Sequence, residues 1–157
     1  MNIGPDGLKL IEYFEGFRAA RYQNPGDVPT IGYGTTAAAG VVDPLPMICT
    51  QLEAEEWLRA YIDRSVLPSL QAAATVGRQR FNQAQIDALA SLGYNVGADV
   101  FSPQHTIGYN IRQGASHATI SENFLLYEGG DGQVQLAGLV TRREAERALF
   151  DRGRLIL

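Results

Sequence analysis

The sequence predicts an α+β fold that is mostly helical, with a single β-hairpin. Three observations carry this expectation. Apolar residues recur at helical spacing in long stretches, among them 5–15, 51–66 and 82–97. One stretch breaks the pattern: Asn24-Pro25-Gly26-Asp27 is strong turn chemistry between two extended segments. The chain has 157 residues, 45% of them apolar, which suits one domain, or two small lobes sharing a core.

The first helix is PDGLKLIEYFE, residues 5–15. Leu8, Ile11 and Glu15 fall at i, i+3 and i+7 on one face, flanked by Phe14 and Phe17. Gly16 follows as the expected C-cap. Residues 21–23 start a strand, and 28–34 return as a second one, whose glycines permit close backbone approach. Within it Thr30 and Ile31 point to opposite faces. Residues 37–46 read as a loop or short strand, because Pro44 and Pro46 forbid a helix.

Thr50 reads as an N-cap, and Glu53 three residues later completes a capping box. The helix from 51 to about 66 carries Leu52, Trp57, Leu58, Tyr61 and Ile62, with Trp57 read as core. Pro68 predicts a kink, with helix resuming to about 74. Asn82 caps the next helix, whose stripe of Ile86, Leu89, Ala90 and Leu92 is ended by Gly93 and Gly97. Short helices follow around 103–113 and 117–127, then a flexible turn at 128–132. Thr141 caps a last helix with Ala145, Ala148, Leu149 and Phe150 apolar. Arg142, Arg143 and Arg147 read as its solvated face. There is no internal repeat.

Composition narrows the function classes. A net charge of −4 argues against a general nucleic-acid binder. The N-terminus lacks the basic and apolar regions of a signal peptide, and no stretch is apolar enough to span a membrane. A cytoplasmic location in the producing cell is expected. Cys49 is the one cysteine, which excludes an intrachain disulfide and reads as a buried or half-buried thiol. His105 and His117 are twelve residues apart, without the ligand count or spacing of a metal site. Gly32-Tyr33-Gly34 is no phosphate loop, since no Lys-Ser/Thr follows. No cofactor and no metal are expected.

The chemistry concentrates in residues 15–35, EGFRAARYQNPGDVPTIGYGT. Glu15 combines an apolar helix face with the negative end of a helix dipole, and both favour the protonated carboxyl a general acid needs. The plainer reading is a helix-end carboxylate reaching into water. The hairpin loop carries Asn24 and Asp27, and Thr30 follows.

This stretch resembles the signature of the phage-type lysozymes, glycoside hydrolase family 24. That family carries Glu, eight residues, Asp (sometimes Cys), five residues, then Thr. Glu15, Asn24 and Thr30 have this spacing, and Tyr22 and the run TIGYG at 30–34 also match. Two later stretches are similar to the family too, FNQAQIDALASLGYNVG at 81–97 and GLVTRREAERALF at 138–150. Two positions depart from it: Asn24 stands at the family's Asp, and Thr35 at its usual His.

The resemblance implies a lysozyme-like fold. A β-containing lobe at roughly 15–50 is joined by a helix at 51–74 to a helical lobe at 75–157, with the N-terminal helix packed on it. It implies a muramidase that cuts the β-1,4 bond between N-acetylmuramic acid and N-acetylglucosamine during host cell lysis. Its catalytic positions are Glu15, Asn24 and Thr30, with Asp27 as an alternative base. Tyr22, Gly34 and Thr35 fall at substrate-binding positions. An arginine of the last helix pairs with the catalytic Glu in the family. Glu144 aligns near that place, with Arg142 and Arg143 adjacent. The implied partner is peptidoglycan, with no nucleic acid and no membrane insertion. A monomer, released by a separate holin, goes with this reading. Asn24 leaves two other functions open. One is a lytic transglycosylase that needs a single acid, and the other is a cell-wall-binding protein with a disabled site.

Overall fold

The computed structural model describes residues 1–23, 26, 28–129 and 136–157. Among the described residues the fold is mostly helical, with one two-stranded antiparallel sheet, as the sequence predicts.

Helix α1 is Pro5–Glu15, with Pro5 at its first turn, where no N–H is needed. Gly4, its N-cap, has no side chain to cap with. A second helix supplies the cap instead. Asp87 accepts from Gly4 N at 2.7 Å and from Gly7 N at 3.1 Å, and Gln83 Nε2 donates to the same carboxylate at 2.7 Å. A Cβ on Gly4 would lie 2.7 Å from Asp87 Oδ2, so glycine lets the helix approach. This anchors the start of α1 and places Glu15 at its far end. Gly16, at φ 69°, closes the helix and donates to the Glu12 carbonyl at 3.0 Å.

Strands β1, Arg18–Gln23, and β2, Pro29–Gly32, pair with Arg18 opposite Gly32 and Tyr22 opposite Thr30. β1 starts three residues earlier than its sequence suggests. The cause is a partner distant in sequence: Arg21 N donates to the Met47 carbonyl at 2.9 Å, and Cys49 N to the Ala19 carbonyl at 2.8 Å. β2 ends at Gly32 rather than 34. There the chain turns back, and Ile31 and Thr35 exchange backbone hydrogen bonds at 2.9 and 2.8 Å. Thr30 and Ile31 are both fully buried, so both faces of β2 are covered. Residues Ala37–Ala39 form a 3-10 turn where a loop or strand was expected, because the two prolines lie beyond it.

The capping box at Thr50 is formed. Glu53 Oε2 accepts from Thr50 N at 2.7 Å, and Thr50 Oγ1 accepts from Glu53 N at 3.2 Å. Helix α2, Gln51–Tyr61, runs through a π segment, Ile62–Val66, into α3, Leu67–Val76. The wider turn falls just before Pro68, whose ring disrupts regular α geometry. Ala54, Leu58, Ile62, Val66 and Leu70 are buried, whereas Leu52 lies off that stripe and is 66% exposed. Trp57 is half-buried against the core. The run begins against β2 and ends against the helices that follow.

Helix α4, Gln83–Val96, is buried on most sides and packs against α1 and a last helix, α7, Ala137–Arg152. Asn82 and Gln85 form its capping box, and Gly97 ends it. Gly93 does not end it. A Cβ there would meet Val66 at 2.7 Å and Phe101 at 2.8 Å, so its smallness seats α4 against both. Helices α5, Thr106–Arg112, and α6, His117–Asn123, complete this side. α7 starts four residues before Thr141, which lies inside it and donates to the Ala137 carbonyl at 3.1 Å. The expected turn at 128–132 falls largely outside the described residues. No described helix is long and apolar enough to cross a membrane.

Candidate active site

Glu15 leaves the end of α1 with 21% of its side chain exposed. Its Oε1 accepts from Arg142 Nη1 of α7 at 2.6 Å, a charge-assisted bond between residues 127 apart in sequence. Arg142 is the partner that sequence reading left open between 142 and 143. Its guanidinium also lies 5.7 Å from the Phe14 ring centroid. Around Glu15 the expected apolar face is thus joined by a buried cation.

Arg142 and Arg143 are buried, not solvated, which corrects the expected helix face. Only Arg147 of the three keeps substantial exposure, and it pairs with Asp151 at 3.6 Å. The reason is Glu146, which has no exposed surface. Its Oε1 accepts from Ser91 Oγ of α4 at 2.6 Å, Arg143 Nη2 at 3.0 Å and Arg142 Nε at 3.1 Å. Its Oε2 lies 2.7 Å from Arg143 Nε, close enough for an ion pair but not aligned as a hydrogen bond. Arg143 Nη2 also donates to Asn95 Oδ1 at 2.9 Å. Burial pushes the Glu146 carboxyl up, against the two guanidiniums and the Ser91 hydroxyl. Burial likewise pulls Arg143 down, while Glu146 holds it up. Glu144, which aligned near the arginine position, is exposed.

The hairpin side meets Glu15 through its glycine turn. Gly34 has φ 87°, and a Cβ there would stand 3.3 Å from Glu15 Oε2. Thr35 is buried and lies in the same cleft wall as Tyr94 of α4. Tyr94 donates its hydroxyl to the Tyr33 carbonyl at 2.7 Å. Burial first, then the Glu15 carboxylate, push that hydroxyl up. Gly34, Thr35, Thr36, Ala38, Ala39, Tyr61 and Tyr94 line a cleft of about 210 Å³. Thr30 Oγ1 donates to the Val28 carbonyl at 3.0 Å, at the base of the hairpin loop. Tyr22 is half-buried under the Arg18 guanidinium, 4.5 Å from its ring centroid. Asn24 and Asp27 lie outside the described residues. Among the described residues no cluster of His, Cys, Asp and Glu could hold a metal. Cys49 is buried, and that burial pushes its thiol up.

Residues 12–146 match the phage lysozyme family. The chain belongs to that family. It is a peptidoglycan-degrading glycoside hydrolase of the endolysin type. It is 32% identical to the endolysin of Acyrthosiphon pisum secondary endosymbiont phage 1, over 96% of this chain and 99% of that one. It is 34% identical to the endolysin of Lactococcus phage c2, over 97% of this chain but only 61% of the relative. The muramidase domain of SpmX from Asticaccaulis excentricus superposes with a TM-score of 0.76 at 28% identity, covering 95% and 97% of the two chains.

For a phage lysozyme read from sequence, Glu146, Ser91 and Tyr94 were the residues missed. Ser91 and Tyr94 sit within or beside an apolar stripe, which hides them. Glu146 left one usable signal: it stands four residues after Arg142 and three after Arg143, the spacing at which helical side chains meet.

Proposed function

We propose that Glu15 is the general acid of a muramidase acting on the β-1,4 bond between N-acetylmuramic acid and N-acetylglucosamine. The observation that supports this reading is the pairing of Glu15 with Arg142 at 2.6 Å, beside a turn where Gly34 leaves room against the other carboxyl oxygen. The carboxyl is thereby oriented without being enclosed. In the reaction Glu15 gives its proton to the glycosidic oxygen as the C1–O bond breaks. A water forms the new bond to C1 from the opposite side and loses a proton to a base. Asn24 cannot take that proton and can only orient the water. Asp27, on the same loop, is the base in this reading, and Thr30 braces the loop. Tyr22, Gly34 and Thr35 contact the sugar chain.

In this reading a β-containing lobe at 15–50 and a helical lobe at 75–157 flank the cleft, with residues 51–74 as the connection. The protein works as a monomer, is made in the cytoplasm, and reaches the wall after a separate holin opens the membrane. Because Asn24 replaces the family's Asp, a transglycosylase is the second reading. Mass spectrometry of digested peptidoglycan separates the two. Reducing N-acetylmuramic acid ends are expected. Anhydro-sugars, lighter by one water, identify the transglycosylase, and binding without sugar release identifies a disabled site.

A further inference from the structure

We propose that Glu146 is a positioning residue that holds Arg142 and, through it, sets how Glu15 keeps and gives up its proton. This rests on the reading of Glu15 as the acid. A general acid must exist both with and without its proton. Each time Glu15 is protonated, Arg142 loses a charged partner. Arg142 is only 4% exposed, and a buried cation left alone is costly. Glu146 removes that cost. It stays paired with Arg142 Nε at 3.1 Å in either state of Glu15.

The geometry also aims the arginine. A guanidinium is planar and rigid, so fixing two of its nitrogens directs the third. Nε is held by Glu146, and Nη2 faces the Ser91 carbonyl and hydroxyl at 3.4 Å. Nη1 is left to reach Glu15. Glu146 is in turn locked by Ser91 Oγ at 2.6 Å and by Arg143. The charges alternate from Glu15 through Arg142 and Glu146 to Arg143.

The groups that face Glu15 are Arg142 of α7 and the Tyr94 hydroxyl of α4, with Arg143 and Glu146 behind them. Those that face Glu146 are Arg142, Arg143 and Ser91. Glu12, one turn earlier on α1, interacts instead with Glu55, Arg59 and Lys9.

Without the Glu146 anion, the Arg142 charge acts on Glu15 undivided. The carboxylate form of Glu15 is then favoured. The test is kcat/KM against pH on soluble peptidoglycan fragments for wild type, Glu146→Gln, Ser91→Ala and Glu15→Gln. For Glu146→Gln the alkaline limb is expected to move to lower pH. Activity falls roughly tenfold at the pH where wild type is half-maximal. Ser91→Ala, which keeps every charge, is expected to move the limb the same way by less. It decides the matter if Glu146→Gln does not fold. Limbs unmoved in the folded variants, with only the melting temperature lowered, would overturn the role of Glu146. A dead Glu15→Gln beside those unmoved limbs leaves the acid assignment standing. Wild-type activity in Glu15→Gln overturns that assignment, and this inference with it.

Discussion

Glu15 and Glu146 share one arginine, but their surroundings differ. Glu15 is a fifth exposed, with one oxygen held by Arg142 and the other beside the bare Cα of Gly34. Glu146 is enclosed, with one oxygen accepting three hydrogen bonds and the other against Arg143. A carboxyl that must pass a proton to a substrate needs an open side. A carboxyl that must hold a buried cation needs saturation instead. The difference comes from what surrounds each residue, since the side chains are identical.

Removing the shared arginine should give the largest effect on stability. Arg142→Met leaves Glu146 buried with one cation fewer, and the free energy of unfolding is expected to fall by about 3–5 kcal/mol. Urea melts measure it. A loss below about 1 kcal/mol would make the buried set no stronger than a surface pair.

A smaller effect is expected on the open side. Gly34→Ala places a methyl group 3.3 Å from Glu15 Oε2 at a φ of 87°. Stability should drop by about 1–2 kcal/mol from the backbone strain. Lysis of outer-membrane-stripped cells should slow roughly tenfold as Glu15 shifts. Gly97→Ala is the control, at φ 110° with nothing within 4 Å. It should be destabilised yet lyse normally per folded molecule. Equal lysis by both variants would show that the room beside Glu15 does not matter.

The smallest effect belongs to a third carboxylate, which is exposed and accepts two hydrogen bonds on one oxygen. Glu53 is held below its ordinary value by hydrogen bonds from the Thr50 backbone and hydroxyl. A lowered folded value adds stability above the unfolded value of 4.5, and that stability is lost as pH falls through the folded one. Glu53→Gln keeps the cap but removes the charge. Wild type should therefore melt slightly higher than Glu53→Gln at pH 7, and the gap should close on acidification below 4.5. A gap independent of pH would assign the benefit to something other than charge.

The legible parts of the fold were those written locally. The capping box at Thr50, the Asn82 and Gly16 caps and the hairpin all follow from residues within a few positions of each other. The early start of β1 was illegible because residues 47–49 extend its pairing from outside the hairpin. Helix α7 was misread because arginines normally mark a solvated face. Here Glu146 and Ser91 accept them into the interior. Glu15 was legible as a candidate from its helix face and its spacing to residues 24 and 30. Its partner was not, because Arg142 is distant in sequence and adjacent to a second arginine.

Everything proposed for this site depends on Glu15 supplying the proton. The direct measurement is the lysis rate of Glu15→Gln on outer-membrane-stripped cells, with the melting temperature taken on the same preparation. The substitution keeps the shape of the side chain and removes the ionisable group. A loss of several orders of magnitude in rate is expected, at an equal or higher melting temperature. Lysis at the wild-type rate by the folded variant would contradict that role.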